Sequence, residues 1–165
     1  MQDSKLLVAG SISGATNAIT GQSVVGTAAT AILSQYSVDL TPQNPNGLVS
    51  NSGVDIGEGT PLYLKWVITT TITGATGLTV GVVSDSTAAL TATPQTLASA
   101  PVSALTAGSW GYLQVPAQIG SNGQEFLGAS FTPTGANSTA GAIVAEFTNA
   151  IDDPKTYYAT GFKVV

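Results

Sequence analysis

The chain has 165 residues, 43% of them hydrophobic, with four lysines, nine carboxylates and a net charge of −5. It contains no histidine, cysteine or arginine. That removes the usual acid–base residue near neutral pH, the thiolate nucleophile or zinc ligand, and the planar fork that clamps phosphate. The acidic balance excludes nucleic acid and anionic membrane surfaces as natural partners.

A chain of this length can bury a core without staples, so one domain is expected. Mean hydropathy is +0.29, too apolar for disorder. Charged residues are only 8%, against about 25% in ordinary domains. Thr, Ser, Asn, Gln and Gly must cover the surface, and such a surface is expected to be committed to protein contacts. The run Lys5–Gly10 is too short for a secretory h-region and follows Asp3. No stretch approaches the ~20 apolar residues of a membrane span.

In chain order, residues 1–26 read as an arm, with a short strand near Asn17-Ala18-Ile19-Thr20. Ile32, Ser34, Tyr36, Val38 and Leu40 then alternate on one face of a single strand. Residues 41–53, with Pro42, Pro45 and Asn46-Gly47, form a loop. Leu62, Leu64, Trp66, Ile68 and Ile72 share the buried face of the clearest strand; Tyr63, Lys65, Thr69 and Thr71 share the other. A turn at Gly74–Gly77 leads to a strand carrying Leu78, Val80 and Val82 inward. An edge strand is expected around Gln95–Ser99, and Trp110, Tyr112, Gln114 and Pro116 then alternate with Gly111, Leu113 and Val115 in a further strand. After Asn122-Gly123, strands are expected over Phe126–Thr132, Ala142–Thr148 and finally Tyr157–Val165. No segment has helical spacing. About eight short strands between Gly, Pro and Asn turns imply an all-β jelly roll or β-sandwich over residues 27–165.

Candidate chemistry is sparse. Asp55 and Glu58 could be a glycosidase pair, but a turn before a strand explains them better. The Gly-Glu-Gly element has no following helix and no Lys-Ser/Thr, so it is not a phosphate loop. Asp152, Asp153 and Asn149 are too few oxygen ligands for a calcium site, and a solvated turn is the expectation. Lys65 is expected to be a plain exposed lysine, not a base for a serine nucleophile. Asn137-Ser138-Thr139 is a formal glycosylation sequon but reads as a turn. Trp66 is in phase with the core. Trp110 could pack or stack on a sugar. Tyr157, Tyr158 and Phe162 could dock on the protein's own sheet or serve a protein contact.

Several segments, taken in order, carry a resemblance. They are Asn17-Ala18-Ile19-Thr20, Val38-Asp39-Leu40, Asp55-Ile56-Gly57-Glu58-Gly59-Thr60-Pro61-Leu62-Tyr63-Leu64, and Leu78-Thr79-Val80-Gly81-Val82-Val83-Ser84-Asp85. Val115-Pro116 and Thr139-Ala140-Gly141-Ala142-Ile143-Val144-Ala145 follow. Together, from about Ala15 to Ala150, they resemble the capsid cement, or decoration, proteins of tailed double-stranded DNA bacteriophages. The Gly-x-Gly-x-Pro-Leu-Tyr element is the most specific part. The loop at residues 41–53 is longer than the family pattern, Phe126–Phe131 lacks basic residues, and the tail beyond Asp152 has no counterpart.

The resemblance implies a jelly roll that trimerises on the outside of an icosahedral head and bridges neighbouring major capsid proteins. It also implies a virion location after synthesis in the host cytoplasm. The expected partners are the major capsid protein and the chain itself, with no nucleic acid, membrane, small-molecule substrate, metal or cofactor and no enzymatic activity. The expected capsid or trimer contacts are Leu6, Leu7 and Val8 in the arm, Trp110, and the tail residues Tyr157, Tyr158 and Phe162. The alternative is a carbohydrate-binding β-sandwich of tail-fibre or adhesin type, with Trp110 or the tail tyrosines exposed on a shallow face.

Overall fold

The computed structural model describes residues 6–13, 18–40, 61–116, 124–149 and Ile151. Its strands are β1 (Leu7–Ala9), β2 (Ser11–Ile12), β3 (Ile19–Thr20), β4 (Gln22–Ser23), β5 (Ile32–Leu33) and β6 (Val38–Asp39). Six longer ones follow: β7 (Tyr63–Thr73), β8 (Gly77–Asp85), β9 (Gln95–Pro101), β10 (Trp110–Gln114), β11 (Phe126–Thr134) and β12 (Ala140–Thr148). No helix occurs among the described residues.

Ten of these segments build two antiparallel sheets. Sheet A has the order β1-β12-β7-β10, with β4 also on β12; sheet B has the order β5-β11-β8-β9, with β6 also on β11. The pieces β1 and β4 share one strand position, since they meet different parts of β12. Likewise β5 and β6 share the position beside β11. Among the described residues each sheet therefore has four strand positions. Except for the β8–β9 hairpin, each connection between these positions carries the chain from one sheet to the other. This is the double Greek key of a jelly roll, an open sandwich.

The alternation seen in the sequence sets the two inner faces. Sheet A contributes Leu64, Trp66, Ile68, Ile143, Ala145 and Phe147; sheet B contributes Leu78, Val80, Val82, Leu127, Ala129 and Phe131. Burying each large apolar side chain stabilises the fold by about 1.5–3 kcal/mol. Sheet twist and the crossover loops leave the sandwich ends to polar clips. Gln22 on β4 donates from Nε2 to the Leu33 carbonyl at 2.7 Å and accepts the Gln35 N–H at 2.9 Å. One side chain thus ties an edge of sheet A to an edge of sheet B.

The strand expected over residues 32–40 is two pieces. Ser34 is the reason. Its N–H donates to the Ala129 carbonyl at 2.8 Å, and its Oγ accepts the Ala129 N–H at 2.9 Å while donating to the Tyr36 carbonyl. The hydroxyl replaces a backbone partner, the chain bulges outward, and Tyr36 ends 53% exposed instead of inward.

The segment 1–26, expected to be an arm, lies against the sandwich in its described part. Val8 and Leu7 are buried, and Leu6 packs partly against the core. The Leu6 carbonyl accepts the Phe147 N–H at 3.0 Å, and the Val8 carbonyl accepts the Tyr36 N–H at 2.9 Å. Leu7 and Val8 are therefore spent on this chain's own packing and offer almost no surface to a partner.

Candidate functional site

The outer face of sheet A collects the aromatics. Opposite residues of an antiparallel ladder share a face, and β10 pairs Trp110 with Val67, Tyr112 with Lys65, and Gln114 with Tyr63. Gly111 and Leu113 fall on the inner side, opposite Trp66 and Leu64. Outward go Trp110 and Tyr112, with ring centroids 6.4 Å apart and planes at 33°. Tyr63 meets Tyr112 edge-on at 5.9 Å. Trp110 and Tyr63 are half-buried, whereas Tyr112 is 49% exposed. Three aromatic rings thus form one raised patch at the sheet's open edge.

Beside this patch, Lys65 of β7 stands opposite Glu146 of β12. Lys65 is only 6% exposed and Glu146 8%, so the exposed lysine expected from the sequence is corrected. Its position in a central strand, with Tyr112 on one side and a carboxylate on the other, explains the burial. Long lysine stems lie down on neighbouring apolar surface.

Sheet B carries a groove of about 560 Å³ on its outer face, lined among others by Leu33, Gly81, Val83, Leu90, Pro94 and Ser130. None of its lining residues is titratable. Its walls offer hydroxyls and apolar contacts, with no acid–base pair. Leu90 forms one wall from a left-handed backbone at φ 58°, fully buried. It fits there because Gly128 has no β-carbon; one would stand 2.3 Å from Leu90 Cδ1.

The turn that delivers Leu90 is organised by Asp85, which is fully buried. Its Oδ1 accepts the Thr87 N–H at 2.9 Å, its Oδ2 accepts the Thr93 N–H at 3.0 Å, and the Ser86 and Thr87 hydroxyls add two weaker bonds. Burial alone would raise the carboxyl's pKa. The amides of Thr87 and Thr93 and the two hydroxyls outweigh it and hold the pKa below the ordinary aspartate value. The group is an anion at neutral pH that ties a loop; the donors around it fill its acceptor sites.

Trp66 is a core residue, as its phase indicates, and Trp110 joins the outward patch. The patch members Tyr63 and Tyr112 were absent from the expected contacts, although both occupy outward phases in the sequence. Tyr157, Tyr158, Phe162, Asp55, Glu58, Asp152 and Asp153 lie outside the described residues. Among the described residues no group of three or more Asp or Glu could hold a metal ion.

A family model for Bbp16 matches residues 19–147, from the first residue of β3 to the penultimate residue of β12. The chain belongs to the Bbp16 family. This is a family of phage type. The Bbp16 match spans the aromatic patch, the groove and the Asp85 turn, while β1 lies outside it. No curated protein matches the chain.

Proposed function

We propose that the chain is a capsid cement protein that sits as a trimer on the outside of an icosahedral phage head and crosslinks neighbouring major capsid proteins. The ordered set of segments from Asn17 to Ala145 is the observation that carries this reading, and those of them that lie among the described residues fall within an all-β jelly-roll chain. A phage-type family supports it further. The role is mechanical. Internal DNA pressure pulls capsomers apart, and a multivalent clamp resists with many small contacts. Symmetry multiplies each contact, so none need be large. A net charge of −5 keeps the clamp off packaged DNA.

The test adds purified protein to heads that lack it. The expected result is a trimeric mass by light scattering, labelling of the outer surface in electron micrographs, and heads that resist heat-induced DNA release. A stable monomer that ignores the heads overturns the proposal.

One observation favours a second reading. Trp110, Tyr112 and Tyr63 form an outward aromatic platform of the kind that stacks on sugar rings. In that reading the chain is a carbohydrate-binding module. Glycan-array binding that disappears in Trp110→Ala would support it, and an array with no signal would discard it.

A further inference from the structure

Among the described residues the two sheets have four edge positions, and three of them are blunted. The β1/β4 and β5/β6 edges are pieces of two or three residues. The β9 edge has a register shift opposite Val82–Val83 and ends at Pro101, which has no N–H. Short edges, bulges and prolines are the usual guards against unwanted strand pairing. The fourth edge, β10, has none of them. Its register with β7 is unbroken over five residues, and it carries no charged side chain.

The ladder shows which groups that edge presents. Ile68 donates to the Ser109 carbonyl and Val115 to the Leu62 carbonyl, each at 2.8 Å. These bonds place the odd-numbered residues of the segment in hydrogen-bonded pairs with β7. Gly111 and Leu113 therefore turn their main-chain groups toward β7. Trp110, Tyr112 and Gln114 turn theirs away from β7. No main-chain partner for these three occurs among the described residues. Three N–H and three C=O groups thus stand in a row of about 14 Å.

We propose that this edge receives an extended segment of another protein as an added strand. The inference rests on the cement reading, in which the segment belongs to the major capsid protein. Only an extended main chain supplies donors and acceptors at this repeat. Apolar or aromatic side chains at alternate positions of the segment lie against Trp110 and Tyr112. The segment is not acidic, because the receiving chain already carries −5. The same charge disfavours a second copy on an edge that has no cation of its own.

Hydrogen exchange read residue by residue, with the full chain free and then bound to heads that lack it, tests this. The amides of Trp110, Tyr112 and Gln114 slow by about tenfold or more on the heads. Tyr112→Pro removes one outward N–H that β7 does not use, so the variant folds and binds heads about tenfold or more weakly. Tyr112→Ala keeps the N–H and loses less than the proline variant. If Tyr112→Pro does not fold, Gln114→Pro makes the same test. Unchanged exchange and full binding by the proline variant overturn strand addition while leaving the cement reading standing. Slow exchange in the free protein that depends on its concentration puts a second copy on the edge and overturns the proposal. Failure of the unaltered chain to bind heads removes the cement reading and this inference together.

Discussion

A β-carbon on Gly111 would stand 2.6 Å from Cζ2 of Trp66, across the ladder from it. The indole lies flush against the β10 backbone, so the residue that completes the core at this edge is one without a side chain. Gly111→Ala is expected to destabilise the fold by about 1–3 kcal/mol through overpacking. Adding Trp66→Phe to that variant frees the space and recovers part of the loss. Urea denaturation of the two single variants and the double variant measures the coupling. Additive losses would show that the two residues do not compete for the same volume.

Asp85→Asn is expected to cost about 1–3 kcal/mol, since a buried amide presents its NH₂ where the carboxylate accepted bonds from N–H groups. The pH dependence has a definite sign. The folded-state pKa lies below the unfolded one, so the stabilisation is complete above about pH 4. It disappears as pH falls through the folded value. Melting temperature against pH should therefore fall less steeply below pH 4 in Asp85→Asn than in the parent. Parallel curves would remove Asp85 from the account of acid stability.

Gln22 is the clip between the sheets. Gln22→Ala leaves the Leu33 carbonyl and the Gln35 N–H without their partner. The expected loss is about 1–3 kcal/mol. Hydrogen exchange should show it first at Gln35, whose amide loses its acceptor. Uniform acceleration across both sheets would instead mean that the clip acts only on global stability.

Leu90 permits an inversion of the usual order. A left-handed backbone suits glycine and penalises alanine by about 1 kcal/mol. Leu90→Ala and Leu90→Gly both lose the buried side chain over Gly128, at about 2–5 kcal/mol. The glycine variant should nevertheless be the more stable of the two by chemical denaturation. The opposite order would indicate that the turn changes conformation once the side chain is gone.

The inner faces were legible in the sequence because period-two alternation survives in the long strands. Leu64, Trp66, Ile68, Val80, Val82, Ile143 and Phe147 all follow it. It failed where a polar side chain takes over a backbone hydrogen bond. Ser34 keeps the alternating pattern on paper, yet its hydroxyl breaks the strand and turns Tyr36 outward. It failed again at residues 6–9, where a three-residue strand is too short to show a period. Burial of Lys65 was illegible because it depends on Tyr112 and Glu146, 47 and 81 positions downstream in the sequence. The aromatic patch was half legible. Trp110 stands out in the sequence by its type, Tyr112 shares its phase, and Tyr63 joins them only through pairing between strands.

The placement of β12 between β7 and the β1/β4 position has a consequence for how the molecule is made. A chain still emerging from the ribosome holds β1, β4 and β7 long before the strand that joins them exists. Sheet A cannot close until Ala140–Thr148 has been synthesised. Folding must therefore wait for almost the whole chain, and long-range pairings of this kind make it slow. Truncation anywhere before β12 should give a product in which sheet A never closes.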